Sequence, residues 1–121
     1  MTSVGRRAAG FPVAALAAVG VLVVTGAAIS PRPSEPVPHR HVVEIRGMAF
    51  HPAVLQVRRG DTVVWVNRDI VPHTATATGK PGWNTGPLLQ GKSGQYVANQ
   101  RGEDSYACEL HPTMLGRLVV R

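Results

Sequence analysis

Apolar and polar positions divide the chain into three stretches of different character. Residues 8–29 run 22 positions without a charge, residues 30–41 (SPRPSEPVPHRH) show no apolar periodicity, and from Val42 onward apolar residues recur at a period of two. Val43 and Ile45 fall on one face with Glu44 and Arg46 on the other, the alternation of a half-buried strand. Residues 54–57 form a second candidate strand, and Arg59-Gly60-Asp61 is a turn. Thr62-Val63-Val64-Trp65-Val66 is almost wholly apolar and β-branched, as expected of a strand buried on both faces. Residues 67–74 read as a loop, with Pro72 excluding a helix, and residues 79–89 as a long connection broken by three glycines and two prolines. Residues 95–98, 105–108 and 117–120 are further short strands. Short strands separated by Gly/Pro turns predict an all-β fold, a Greek-key β-sandwich or barrel.

The first two stretches lie outside that domain. Arg6 and Arg7 before the apolar segment would keep the front end cytoplasmic and send the rest across a membrane. The segment is longer than a typical signal-peptide core of ~7–15 residues and close to the ~20 needed to span a bilayer. Much of it is Ala and Gly, and Thr25-Gly26-Ala27 offers small residues near a plausible cleavage point. Residues 1–29 are therefore expected to be a signal peptide or an N-terminal membrane anchor. Residues 30–41, with four prolines, are expected to be an extended spacer in which His39 and His41 are solvated. Residues 42–121 are the expected folded domain.

Composition narrows the function. The net charge is +6, from 13 basic and 7 acidic residues, with no basic run longer than two. Nucleic-acid binding wants a dense basic stripe with aromatics in it, and none is present. The single cysteine excludes an internal disulfide. A small extracytoplasmic domain without one needs another staple, and a bound metal is the usual choice.

Near the C-terminus the chain reads Tyr106-Ala107-Cys108-Glu109-Leu110-His111-Pro112-Thr113-Met114, a C-x2-H-x2-M pattern on a loop between two strands. Thiolate, imidazole and thioether at three-residue steps converge if the loop curls around one point. His73, 35 residues before the cysteine, lies in the loop after the most hydrophobic strand. Two histidines, one cysteine and a weak methionine are the trigonal-plus-axial set that suits copper in both oxidation states.

Residues 42–121 resemble the plastocyanin/amicyanin branch of the cupredoxins, the amicyanins most of all. The resemblance is carried by Gly60-Asp61-Thr62-Val63-Val64-Trp65-Val66-Asn67, by Pro72-His73-Thr74, and by the segment from Tyr106 to Met114 with Gly116-Arg117-Leu118-Val119-Val120 after it. Met48-x-Phe50-x-Pro52 and Gly86-Pro87-Leu88 add to it. It implies one type 1 copper held by His73, Cys108, His111 and Met114, with Thr74 beside the cysteine sulfur. It also implies a blue copper protein outside the cytoplasm, in the periplasm, cell envelope or medium, shuttling single electrons as a monomer. Redox partners would dock at the surface around His111, Pro112 and Leu110. Two positions depart from the family pattern. Ala98 and Asp104 stand ten and four residues before the cysteine, where aromatics are usual, and Trp83 is the candidate to compensate.

Three function classes fit these features. An electron carrier is the leading one, since no hydrolytic triad, phosphate-cradling loop or second redox cysteine accompanies the site. A copper storage or delivery module of the envelope would use the same ligands. A metal-free interaction domain is disfavoured by the intact ligand set. The remaining histidine, His51, is expected to be an exposed turn residue beside Pro52.

Overall fold

The computed structural model describes Gly5 and residues 8–121. Arg6 and Arg7, the basic pair of the expected export signal, lie outside the described residues. The chain divides into two units, Met1–Pro33 and Ser34–Arg121. In the first, the described residues carry no regular secondary structure. Among the described residues no helix is long and apolar enough to cross a membrane.

The second unit is built from eight strands: β1 (Arg40–Arg46), β2 (Ala49–His51), β3 (Val54–Val57), β4 (Thr62–Asn67), β5 (Thr76–Ala77), β6 (Ser93–Val97), β7 (Gly102–Ala107) and β8 (Leu115–Val120). They form two four-stranded sheets, ordered β2-β1-β4-β6 and β3-β8-β7-β5. β1 runs parallel to β4 and β3 parallel to β8, the other pairs being antiparallel. The alternation seen in the sequence is the burial pattern. Val43 and Ile45 are fully buried between exposed or half-buried neighbours, while β4 buries Val63, Val64, Trp65 and Asn67, so both its faces are covered.

β2 and β5 were not expected from the pattern. They have three and two residues, too few to show a period. β2 exists because Gly47 and Met48, both at φ 58°, reverse the chain in two residues between Arg46 and Ala49. A two-residue hairpin loop of this hand needs positive φ at both positions, which glycine adopts freely and methionine does not. His51 consequently closes a strand opposite Glu44 and is not the exposed turn residue expected; its Nε2 lies 3.1 Å from the Arg46 carbonyl.

The expected spacer also becomes ordered earlier than its composition suggested. Arg40 and His41 already pair with Thr62 and Val63. His41 is tied by Nε2 to Asp61 Oδ2 at 2.9 Å, so it is not simply solvated. Asp61, 3% exposed, also accepts the backbone N–H groups of His39 (2.8 Å) and Arg58 (3.0 Å). The His39 N–H is the main cause holding its carboxyl well below the usual range, outweighing the opposing effect of burial, with Arg58 and His41 adding to it. A depressed folded-state pKa contributes stability above the unfolded value of about 3.9, and that contribution is lost as pH falls through the folded value. Urea midpoints should therefore decline as pH is lowered from 5 to 2. Asp61→Asn should cost about 1–3 kcal/mol near neutrality and flatten that decline; an equally steep decline in the variant would remove Asp61 from the account.

At one of the two departures from the family pattern, Asp104, Trp83 provides the partner. Its ring stacks on Trp65 and on Tyr96, each at a centroid distance of 4.9 Å, and its Nε1 donates to Asp104 Oδ2 at 3.2 Å. The carboxylate on the inward face of β7 thus gains a partner, and the missing aromatic volume comes from the long connection. Ala98 is fully buried, where its backbone bonds Gly60 and Asp61.

Candidate metal centre

β4 ends at Asn67, whose side chain shapes the loop that follows. The Asn67 amide donates to the carbonyls of Val71 and Leu88, both at 2.8 Å, and its oxygen accepts the Asp69 N–H at 2.9 Å. That loop delivers His73, which is locked against the next connection by paired backbone bonds with Leu88 (3.1 and 2.7 Å). Cys108 follows the last residue of β7. The segment from Cys108 to Met114 curls on itself: the Met114 N–H donates to the His111 carbonyl at 2.9 Å, and the Cys108 N–H to the Met114 carbonyl at 3.2 Å.

These two loops bring three donors together. His73 Nδ1 lies 3.1 Å from His111 Nδ1, and Cys108 Sγ lies 3.8 and 3.7 Å from them, respectively. All three ligand atoms fall within 4.8 Å of one another. His73 and Cys108 are fully buried, His111 is half-buried and Met114 is 4% exposed on the same loop. Two imidazole nitrogens facing each other at this distance leave lone pairs opposed unless one carries a proton; a shared cation satisfies both. Bonds of about 2.0–2.3 Å to a single ion would set its ligand atoms roughly 3.3–4 Å apart, close to the observed triangle. The donor set fits one thiophilic, imidazole-binding metal ion.

The surroundings of the triangle are equally specific. The Thr74 N–H points at Cys108 Sγ at 3.3 Å, and Thr74 Oγ1 accepts the Glu109 N–H at 2.9 Å, tying the two ligand loops together. Thr74 therefore lies where the family resemblance expected it. His73 Nε2 is 2.9 Å from Asp69 Oδ2. Burial pulls the Asp69 pKa up, but the Met48 N–H, the His73 ring and the Gly47 N–H outweigh it and hold the group below its ordinary value. Asp69 was not singled out from the sequence. Its only signal there is a carboxylate four residues before a ligand-type histidine. The two residues that flank the half-buried His111 are open to solvent: Leu110 is 50% exposed and Pro112 is exposed.

No family model matches the chain. Over 82 residues, however, it is 32% identical to amicyanin-alpha from Methylorubrum extorquens, covering 64% of this chain and 69% of that one. The chain belongs to the amicyanin-like cupredoxins. The amicyanin of Paracoccus denitrificans is 33% identical over 84 residues, 65% of this chain and 63% of that protein. The chain thus spans just under two thirds of that relative. Among solved structures, an oxidised amicyanin mutant superposes with a TM-score of 0.64 at 29% identity, covering 68% of this chain and 82% of the other. The Cu(I) form of a second amicyanin mutant gives 0.64 at 28%, with the same coverage. The two-sheet sandwich is therefore the amicyanin-type cupredoxin fold, and its paired ligand loops are those from which the His/Cys triangle is built.

Proposed function

We propose that this chain is an extracytoplasmic blue copper protein that holds one type 1 copper through His73, Cys108, His111 and Met114 and passes single electrons between redox protein partners. The observation that carries this is the triangle of two imidazole nitrogens and a buried sulfur on an amicyanin-type scaffold. Copper would supply a one-electron Cu(I)/Cu(II) couple, which no side chain here offers. The protein's part is to hold the donors still. His73 and Cys108 are locked by backbone pairing and by the Thr74 N–H, so little movement accompanies a change of charge. Full burial of both excludes water from that side. His111 is the half-exposed member of the triangle, which makes its ring edge the entry and exit point. Leu110 and Pro112 beside it offer an apolar surface for a docking redox protein.

No substrate-transforming role is assigned; the chain acts as a monomeric carrier. Residues 1–29 act as a signal or anchor and the Pro-rich residues after them as the approach to a domain whose first strand begins at Arg40, two residues before the expected start at 42, which puts that domain in the periplasm or cell envelope. Storage or delivery of copper is disfavoured, because exchange requires access that the buried His73 and Cys108 do not give. The test is the absorption spectrum of the purified protein with one equivalent of Cu(II). Direct thiolate ligation gives intense blue colour from sulfur-to-copper charge transfer. A colourless protein with stoichiometric Cu(II) bound would sink the assignment.

A further inference from the structure

We infer that the end of the domain opposite the metal loops is a docking surface for anionic phospholipid headgroups, built from Arg40, Arg58, Arg59, Arg101 and Arg121. These arginines are scattered in the sequence, and the strand ends gather them at one pole. Arg40 opens β1, Arg58 and Arg59 follow β3, Arg101 precedes β7, and Arg121 follows β8. Strand register sets Arg40 beside Thr62, Val57 beside Val120, and Gly102 opposite Val120. The turn from Arg58 to Asp61 joins the two sheets there. Its Arg59 N–H donates to the Arg121 carbonyl at 2.9 Å, and its Gly60 N–H to the Ala98 carbonyl at 2.8 Å. All five arginines are exposed, and among the described residues none of them forms an ion pair. Asp61 at the same pole is buried, with its oxygens engaged by His39, His41 and Arg58. That leaves Glu35, which lines a recess with Arg59 and Arg101. An α-carboxylate at Arg121 would still leave basic side chains in excess.

The metal end is balanced by comparison. Arg68 and Lys92, whose carbonyl accepts the Asn67 N–H, stand there against Asp69 and Glu109. β4 and β7 each run six residues between the two ends, about 20 Å at roughly 3.3 Å per residue. Charges are screened over about 8 Å at physiological salt, so the pole serves its own surroundings and not a partner at His111. The chain itself brings a polyanionic surface near. Residues 30–39, four of them proline, join Arg40 to the uncharged stretch 8–29. Ten residues reach at most about 36 Å, so a membrane holding that stretch keeps the pole within range of its headgroups. Each basic side chain near an anionic surface favours the docked state about fivefold. Docked in this way, the domain turns His111 away from the bilayer, open to soluble redox proteins. The inference rests on the anchor reading of residues 1–29 and not on copper.

The test places the full-length chain with nanodiscs of phosphatidylcholine or of phosphatidylglycerol, each carrying a nitroxide on its headgroups, and follows backbone amides by NMR. With phosphatidylglycerol the Gly60 and Gly102 amides should broaden strongly, and those of Gly91 and Leu110 little. The contrast should fade with phosphatidylcholine and at high salt. Arg59→Gln and Arg101→Gln should each lower the ratio of docked to free domain about fivefold. Arg68→Gln, the same charge change at the metal end, should not. Equal broadening at both ends overturns the proposal. So does an Arg68→Gln effect as large as that of Arg59→Gln, because attraction would then follow net charge alone. A chain held in both discs with an unbroadened pole overturns the docking surface and keeps the anchor. A chain recruited by phosphatidylglycerol alone, through the pole, keeps the docking surface and removes the anchor; one that joins neither disc defeats both. Polyglutamate in solution is the rival probe. Shifts at Gly60 and Gly102 with polyglutamate, without broadening by phosphatidylglycerol, would assign the pole to an acidic protein and overturn the lipid assignment.

Discussion

Loading the full chain with copper is expected to raise its thermal unfolding midpoint by roughly 15–25 °C, and Cys108→Ala is expected to remove most of that rise. A ligand that binds only the folded state adds RT ln(1+[L]/Kd), about 3–4 kcal/mol once free copper exceeds Kd by a few hundredfold. In a domain of this size each kcal/mol shifts the midpoint by about 4–8 °C. Two features make the full increment plausible here. Cys108 is a free, buried cysteine, so no cross-link has already constrained the unfolded chain. The donors also come from two loops, residues 67–73 and 108–114, that a bound ion would clamp together. Cys108→Ala deletes the sulfur at the buried corner of the triangle, leaving imidazoles that bind Cu(II) weakly and without blue colour. Differential scanning calorimetry of wild type and variant, each with and without copper, checks this. Identical midpoints for metal-free and loaded wild type would mean that the site is not specific to the folded state.

Gly116→Ala is expected to destabilise the domain by about 3 kcal/mol, the upper end of what overpacking a core usually costs. Gly116 on β8 lies opposite Tyr106 on β7, and a Cβ at this position would run into Tyr106 Cζ, with Cε2 and Oη each at 2.5 Å. The tyrosine cannot yield easily. It is 1% exposed and hemmed in by Phe50 at 4.8 Å and by Trp65 and Trp83, each at 5.4 Å between ring centroids. Tyr106→Phe keeps Cζ and Cε2 and should not relieve the clash, whereas Tyr106→Leu should relieve much of it, giving a clear coupling in a double-mutant cycle. Tyr106→Phe by itself should cost little, because among the described residues the buried hydroxyl makes no hydrogen bond of good geometry. The same pair borders the metal centre: Tyr106 stands two residues before Cys108, and Gly116 two after Met114. Gly116→Ala should therefore also perturb the blue absorption. A variant as stable as the wild type in urea would show that the Tyr106 ring can move aside.

The legible parts of this protein are those written in short windows of sequence. The strand at 54–57 matches β3 residue for residue, and the apolar run 62–66 matches β4 to within its last residue, Asn67. The C-x2-H-x2-M spacing put Cys108, His111 and Met114 on one loop before any fold was known. The burial of Ala98 and the pairing of Asp104 with Trp83 were less legible. Position alone flagged them as departures and offered Trp83 as the candidate to compensate, but the bond that pairs Trp83 with Asp104, 21 residues away, is visible only in the fold.

Period-two alternation and β-branched content are local properties, set by which face each side chain must hide, so the sequence by itself determined that the domain would be all-β and where most strands run. The order of those strands, the parallel pairing of β1 with β4, and the approach of His73 to Cys108 and His111 across 35 and 38 positions were decided by tertiary packing. So was the role of Asp69. In sequence it is one carboxylate in a loop; in the fold it meets Gly47 and Met48, which lie 22 and 21 residues earlier. A hydrogen bond over such a distance depends on the parallel pairing of β1 with β4, which sets the β1–β2 turn beside the loop after β4, and no periodicity within either segment encodes its partner.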